Sequence, residues 1–170
     1  MFKTFDTVAV FVVVGWGSVT AAIDLRERRV PNPMTFGIAA LGFLLAAFRL
    51  TEVGVLSALA GLAVGLTLML PSHVIGATGA GDVKLLAAFG TLLGPGRTGW
   101  AFLYSAIAGG AIALIVAFRR QRMRLTIERT AALLKRSPEM AAEIEHPREN
   151  NRFAYAPAIV VGALAAAMGL

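Results

Sequence analysis

The sequence contains no cysteine, which excludes disulfide bridges and every thiolate metal site. It has only two histidines, His73 and His146, far apart in the chain, so a zinc centre is not expected and we infer neither metal nor cofactor. Charge is also scarce: 15% of the 170 residues are charged, against 57% hydrophobic and a mean hydropathy of +0.72. A soluble globular domain does not have that balance. What fills the chain instead is a series of apolar runs, Phe5–Ile23, Met34–Leu50, Val53–Leu70, Val74–Leu93, Trp100–Phe118 and Ala154–Leu170. Each is near the ~20 residues that cross a bilayer as a helix. The expectation is an all-α membrane protein with six transmembrane helices, one domain spanning residues 1–170, and no internal repeat. Small residues at Thr20-Ala21-Ala22 resemble a cleavage site, but Arg26, Arg28 and Arg29 follow at once, a flank that anchors a span.

The net charge of +6 reads as topology, not as a nucleic-acid footprint. Loops after the first, third and fifth runs collect Arg26, Arg28, Arg29, Lys84 and nine basic residues between Arg119 and Arg152, whereas Lys3, Arg49 and Arg97 remain for the other side. The positive-inside rule then puts both termini outside, in the periplasm, and the odd-numbered loops in the cytoplasm. The segment Arg119–Arg152 sets Met123, Ile127, Ala131 and Leu134 at helical spacing with basic residues on other faces, the pattern of an amphipathic helix on an anionic inner leaflet. A surface for substrate or partner is the other reading of this loop. Gly61 and Gly65 have the small-xxx-small spacing that lets helices approach, and Gly109 and Gly110 are read the same way. Trp16, Trp100, Tyr104 and Tyr155 fit aromatic anchors near span ends.

Against this apolar background the run Gly79-Ala80-Gly81-Asp82-Val83-Lys84 stands out. Each charge held at mid-membrane costs roughly 2.5 kcal/mol or more. The chain has three aspartates, Asp6, Asp24 and Asp82. Asp6 and Asp24 bracket the first run, so a rise of ~1.5 Å per residue puts them about 27 Å apart on opposite faces. Asp24 and Asp82 are separated by two spans and return to the same, cytoplasmic face. They are the pair that can meet. Only about 15 Å of helix follows Lys84 before the Gly94–Gly99 turn, so the fourth helix begins earlier or is tucked into the protein, with Asp82 below the surface. Gly76, Gly79 and Gly81 suit irregular backbone there. Two such carboxylates share one proton, and the ionised one activates water while the protonated one polarises a carbonyl. Acid and base are not assigned to either residue. Lys84 either tunes the pair or reaches towards the interface.

Three stretches in order resemble the type IV prepilin peptidase family of GxGD membrane aspartyl proteases: Asp24 through Val30-Pro31-Asn32, Gly79-Ala80-Gly81-Asp82-Val83-Lys84 through Gly90, and Arg152-Phe153-Ala154-Tyr155-Ala156-Pro157-Ala158-Ile159. The resemblance implies an aspartic endopeptidase of the bacterial inner membrane that cuts pilin or pseudopilin precursors after a glycine, at the cytoplasmic face. Asp24 and Asp82 are then catalytic, and Gly79, Gly81, Lys84, Pro31 and Asn32 shape the site. Larger members insert a domain after the first span, often with paired cysteines, and methylate the new amino terminus. Here that loop is only Asp24–Pro33, so the chain is similar to the small peptidase-only forms of Flp-type, tight-adherence pilus systems. Membrane lipids are the other expected partner; no nucleic acid is expected, and the sequence is silent on oligomeric state. The competing readings are a proton-coupled transporter and a noncatalytic pilus assembly factor.

Overall fold

A computed structural model describes residues 7–119 and 154–170. Its helices are α1 (Thr7–Glu27), α2 (Asn32–Ala47), α3 (Val55–Val74), α4 (Ala80–Arg119) and α5 (Ala156–Ala167), and no strand occurs among the described residues. α1, α3 and residues 80–116 of α4 are long and apolar enough to cross a membrane, while α2 and α5 are shorter apolar helices. Beyond Arg119, the basic segment expected to lie on the membrane falls outside the described residues.

A single straight helix over the 37 residues from Ala80 to Val116 would be about 55 Å long, far more than a ~30 Å hydrocarbon core. The chain breaks at Gly94, whose φ of 72° is open to glycine and strained for other residues. Pro95 follows, starting the next helical stretch where its missing N–H costs nothing. Contacts on either side show that the chain reverses at this point. Residues 80–93 run from Asp82, beside the turn between α1 and α2, to Gly94, which packs near Val53 and Ser57 at the start of α3. Residues 95–119 then come back, so that Ser105 and Gly109 meet Tyr155, at the end of the bundle where Asp24 lies. The glycine-rich turn expected over Gly94–Gly99 is thus tighter than the sequence suggests, with residues 95–99 already helical.

The first arm of α4 is the central pillar. Leu85, Leu86, Ala87, Ala88, Phe89, Thr91, Leu92 and Leu93 are all buried, the all-round burial of a helix enclosed by others. Both possibilities for this short helix hold: α4 begins at Ala80, before Lys84, and its first arm is enclosed by protein. Glycines let its neighbours close in. A Cβ on Gly61 would strike the Gly90 carbonyl, one on Gly65 would lie 2.7 Å from Ala87 Cα, and one on Gly42 would run into the Thr91 hydroxyl. The Gly61 and Gly65 pair therefore packs as its spacing implies. On another side Gly17 of α1 faces both Val160 of α5 and the Phe89 ring. At the Gly94 end, Arg97 approaches Glu52 at 3.9 Å.

Candidate active site

Asp24 lies in the last turn of α1 and Asp82 in the first turn of α4, and both are buried. Each carboxylate accepts a hydrogen bond from a backbone N–H at a helix start, where four such donors have no partner within the helix. Asp82 Oδ2 accepts from Gly79 N at 3.1 Å. This is the reciprocal half of a capping box, with Asp82 three residues inside the helix and reaching back to the residue that precedes it. Its negative charge also sits at the favourable end of the helix dipole. Asp24 Oδ2 accepts from Ala156 N at 3.0 Å, across 132 residues of sequence. Ala156 is the first residue of α5, and the next residue, Pro157, has no N–H to offer. The two carboxylates therefore use the same kind of donor, one from its own helix and one from a distant helix.

The turn at Tyr155 and Ala156 supports Asp24. While Ala156 N holds Asp24, the Tyr155 phenol lies within electrostatic range of Asp82. Its O–H donates to the Ser105 carbonyl at 3.1 Å, and its ring rests against Gly109. Tyr155 is thus half-buried in the bundle, at the residue that precedes α5. Trp16 likewise packs its ring on Gly37, in the middle of α1. Gly109 approaches a side chain instead of a helix backbone, and Gly110 has nothing within 4 Å of an added Cβ.

The remaining expected site residues form the rim. Pro31 precedes α2 with extended geometry, and its carbonyl accepts from Met34 N and Thr35 N, starting the helix. Asn32 Oδ1 accepts from Lys84 Nζ at 3.0 Å, tying the start of α2 to α4 at an exposed position. Gly81 leaves room for Val30, whose Cβ would lie 2.9 Å from an added one. Gly79 supplies the Asp82 hydrogen bond. Of the three glycines expected to bend the backbone, only Gly76 has a positive φ, at 77°. Gly79 and Gly81 instead provide a donor and a close approach.

A small polar clasp sets the loop before Asp82, and no sequence pattern marks it. Ser72 Oγ and Thr78 Oγ1 are hydrogen-bonded at 2.9 Å, and His73 Nδ1 lies 3.0 Å from the Thr78 carbonyl. Backbone bonds from Ala77 N and Thr78 N to the Ser72 carbonyl close the same loop. With the Nδ1 proton present, His73 donates to that carbonyl and helps close the loop. No group of metal-binding side chains occurs among the described residues.

A sequence model of the type IV leader peptidase family matches residues 11–114. That stretch holds Asp24, Pro31, Asn32, Gly79, Gly81, Asp82 and Lys84, and stops short of Tyr155. No curated protein and no solved structure matches the chain.

Proposed function

We infer, from a chain that belongs to the type IV leader peptidase family, that it is a multi-pass membrane endopeptidase in which Asp24 and Asp82 hydrolyse the leader from pilin precursors. One observation carries this reading: two buried carboxylates at the same end of the bundle, each accepting from a helix-start N–H. Carboxylates in such a setting hold one proton between them. The ionised member removes a proton from water, the oxygen adds to the scissile carbonyl, and the protonated member donates to the carbonyl oxygen. Collapse of the tetrahedral adduct breaks the C–N bond. The amine leaves with the proton taken from water, while an adduct hydroxyl returns its proton to the other carboxylate as the C=O re-forms, so the dyad again holds one proton. Gly79, Gly81, Lys84, Pro31 and Asn32 hold the helix starts around the pair.

The finer assignments rest on sequence pattern joined to the fold. Reversal at Gly94 divides α4 into two apolar arms of opposite direction, which supports six crossings and termini on one side. The bias of basic residues to odd-numbered loops puts both termini in the periplasm and the dyad at the cytoplasmic face of the inner membrane. The short connection from Glu27 to Asn32 leaves no room for an inserted domain, in keeping with a peptidase-only enzyme acting on Flp-like precursors.

Co-expression of a Flp-type pilin precursor in membranes tests the proposal, with cleavage read by gel mobility and product mass. Asp24→Asn and Asp82→Asn each abolish processing at normal membrane abundance. Full processing by either variant sinks the two-aspartate mechanism, and proton flux that depends on Asp82 alone redirects the assignment to transport.

A further inference from the structure

The family match ends before the turn that holds Asp24, so the support of that carboxylate comes from residues the match does not describe. Three separate contacts fix Tyr155 there. Its carbonyl accepts from Ala158 N at 3.0 Å and Ile159 N at 3.2 Å, starting α5. Its phenol donates to Ser105 O on the second arm of α4. Its ring occupies the space left by the missing side chain of Gly109, where an added Cβ would lie 3.0 Å from Cζ and closer still to Cε2. The residue preceding α5 thus spends its side chain on α4 and provides no cap to its own helix. What it controls is the position of the next amide, Ala156 N–H, which donates to Asp24 in a buried setting.

We propose that Tyr155, seated on Gly109 and Ser105, is a positioning residue that aims the Ala156 N–H at Asp24 and so fixes the orientation of that carboxylate for catalysis. The inference rests on the reading of Asp24 as catalytic. Tyr155 acts through the backbone and touches no reacting atom. Because the geometry of a reacting group is worth up to about 10²-fold in rate per ångström of misplacement, loss of the seat falls on kcat. Substrate binding depends on other surfaces, so KM stays near the wild-type value.

The experiment uses the full-length protein in phospholipid vesicles with a synthetic pilin precursor, measuring kcat and KM per folded enzyme. Tyr155→Phe, which keeps the ring and loses the hydrogen bond, lowers kcat about fivefold. Tyr155→Ala and Gly109→Ala lower it by about 10-fold to 100-fold, and Gly110→Ala, which meets open space, leaves it unchanged. The double variant Gly109→Ala/Tyr155→Ala is no worse than Tyr155→Ala alone, because the added methyl group no longer meets a ring; two unrelated packing defects would instead add. If Tyr155→Ala fails to accumulate, Tyr155→Phe and Gly109→Ala decide the matter. Wild-type kcat in both of these overturns the proposal, as does a rise in KM at constant kcat or an additive double variant. Asp24→Asn is assayed alongside: activity in that variant overturns the dyad itself, whereas an inactive Asp24→Asn with fully active Tyr155 and Gly109 variants overturns the positioning role alone.

Discussion

Asparagine and alanine at residue 24 have the same chemical consequence and different structural ones. Asp24 is 4% exposed and accepts the Ala156 N–H at 3.0 Å. Asparagine keeps an oxygen that can accept this bond but cannot exchange a proton with water or carbonyl. Alanine removes the acceptor as well, leaving a buried amide without a partner, at a cost of about 1–3 kcal/mol. For a chain of this length, ~1 kcal/mol corresponds to a midpoint shift of about 2–4 °C. Asp24→Ala should therefore melt several degrees below wild type, while Asp24→Asn melts within about 2 °C of it. Both should lose about 10²–10⁴-fold in cleavage rate, the usual contribution of one proton-transferring group.

The assay is thermal unfolding of the detergent-solubilised protein beside precursor cleavage in membranes. Equal melting of the two variants would refute the structural half of the argument, since the Ala156 bond would then contribute nothing. Cleavage by Asp24→Asn within tenfold of wild type would refute the chemical half. The two halves fail independently, which separates a carboxylate kept for chemistry from one kept to hold α1 against α5.

The same comparison applies to Asp82, where asparagine retains the hydrogen bond to Gly79 N and alanine loses a helix-start interaction of about 0.5–2 kcal/mol; both variants should be inactive in precursor cleavage, and only the alanine variant measurably less stable in thermal unfolding. Gly61→Ala should lower the unfolding midpoint strongly, because its Cβ meets the Gly90 carbonyl and overpacking of this kind costs about 1–3 kcal/mol, whereas Gly96→Ala and Gly99→Ala, with nothing within 4 Å, should melt with wild type. Lys84→Met and Asn32→Ala remove the same exposed hydrogen bond, so each should reduce cleavage by a similar small factor and the double variant should be no worse than either single one, read as initial rates in vesicles. Ser72→Ala should weaken the clasp on the Thr78 loop by about 1 kcal/mol, seen as faster hydrogen exchange over residues 75–79.

The two aspartates were legible in the sequence because apolar surroundings make charge conspicuous and because the parity of the intervening spans decides which carboxylates share a face. Gly61 and Gly65 were legible for a similar reason, since their spacing alone puts them on one face of a helix. The burial of the first arm of α4 was only half legible. Its length after Lys84 was too short for a lipid-exposed crossing, but leucine in lipid and leucine in protein look alike in composition. The turn at Tyr155 was not legible. A tyrosine at the start of an apolar segment fits a membrane interface as well as it fits a buried anchor, and the donor that meets Asp24 is a backbone N–H, which every residue but proline carries. Nor did Gly79 and Gly81 reveal their roles, because glycine serves equally as a hinge, a donor that can be approached closely, and a gap for a neighbour such as Val30.

The glycine packing and the carboxylate site are one arrangement. From Ala80 to Gly94 the first arm of α4 is about 21 Å long at ~1.5 Å per residue, so within a ~30 Å core an arm that begins at one boundary ends about 9 Å short of the other. Such a helix can exist there only if protein surrounds its ends, and Gly61, Gly65, Gly42 and Gly17 bring α3, α2 and α1 close enough to do so. Its Gly94 end packs near Val53 and Ser57, and its Asp82 end lies beside the turn between α1 and α2. Unpartnered N–H groups at that start would be costly in an apolar setting, and Asp82 satisfies one of them. The same reasoning holds for α5, a helix of 12 residues whose first N–H is met by Asp24. Two short helices each find an acceptor for an N–H at their start, and the acceptors are the two carboxylates the proposed hydrolysis needs. Lengthening the first arm by one turn with an Ala-rich insertion after Lys84 would move Asp82 outward by about 5.4 Å, away from the level of Asp24. Cleavage should then be lost even with both aspartates intact, and retained cleavage would show that the depth of this helix start is not what brings the pair together.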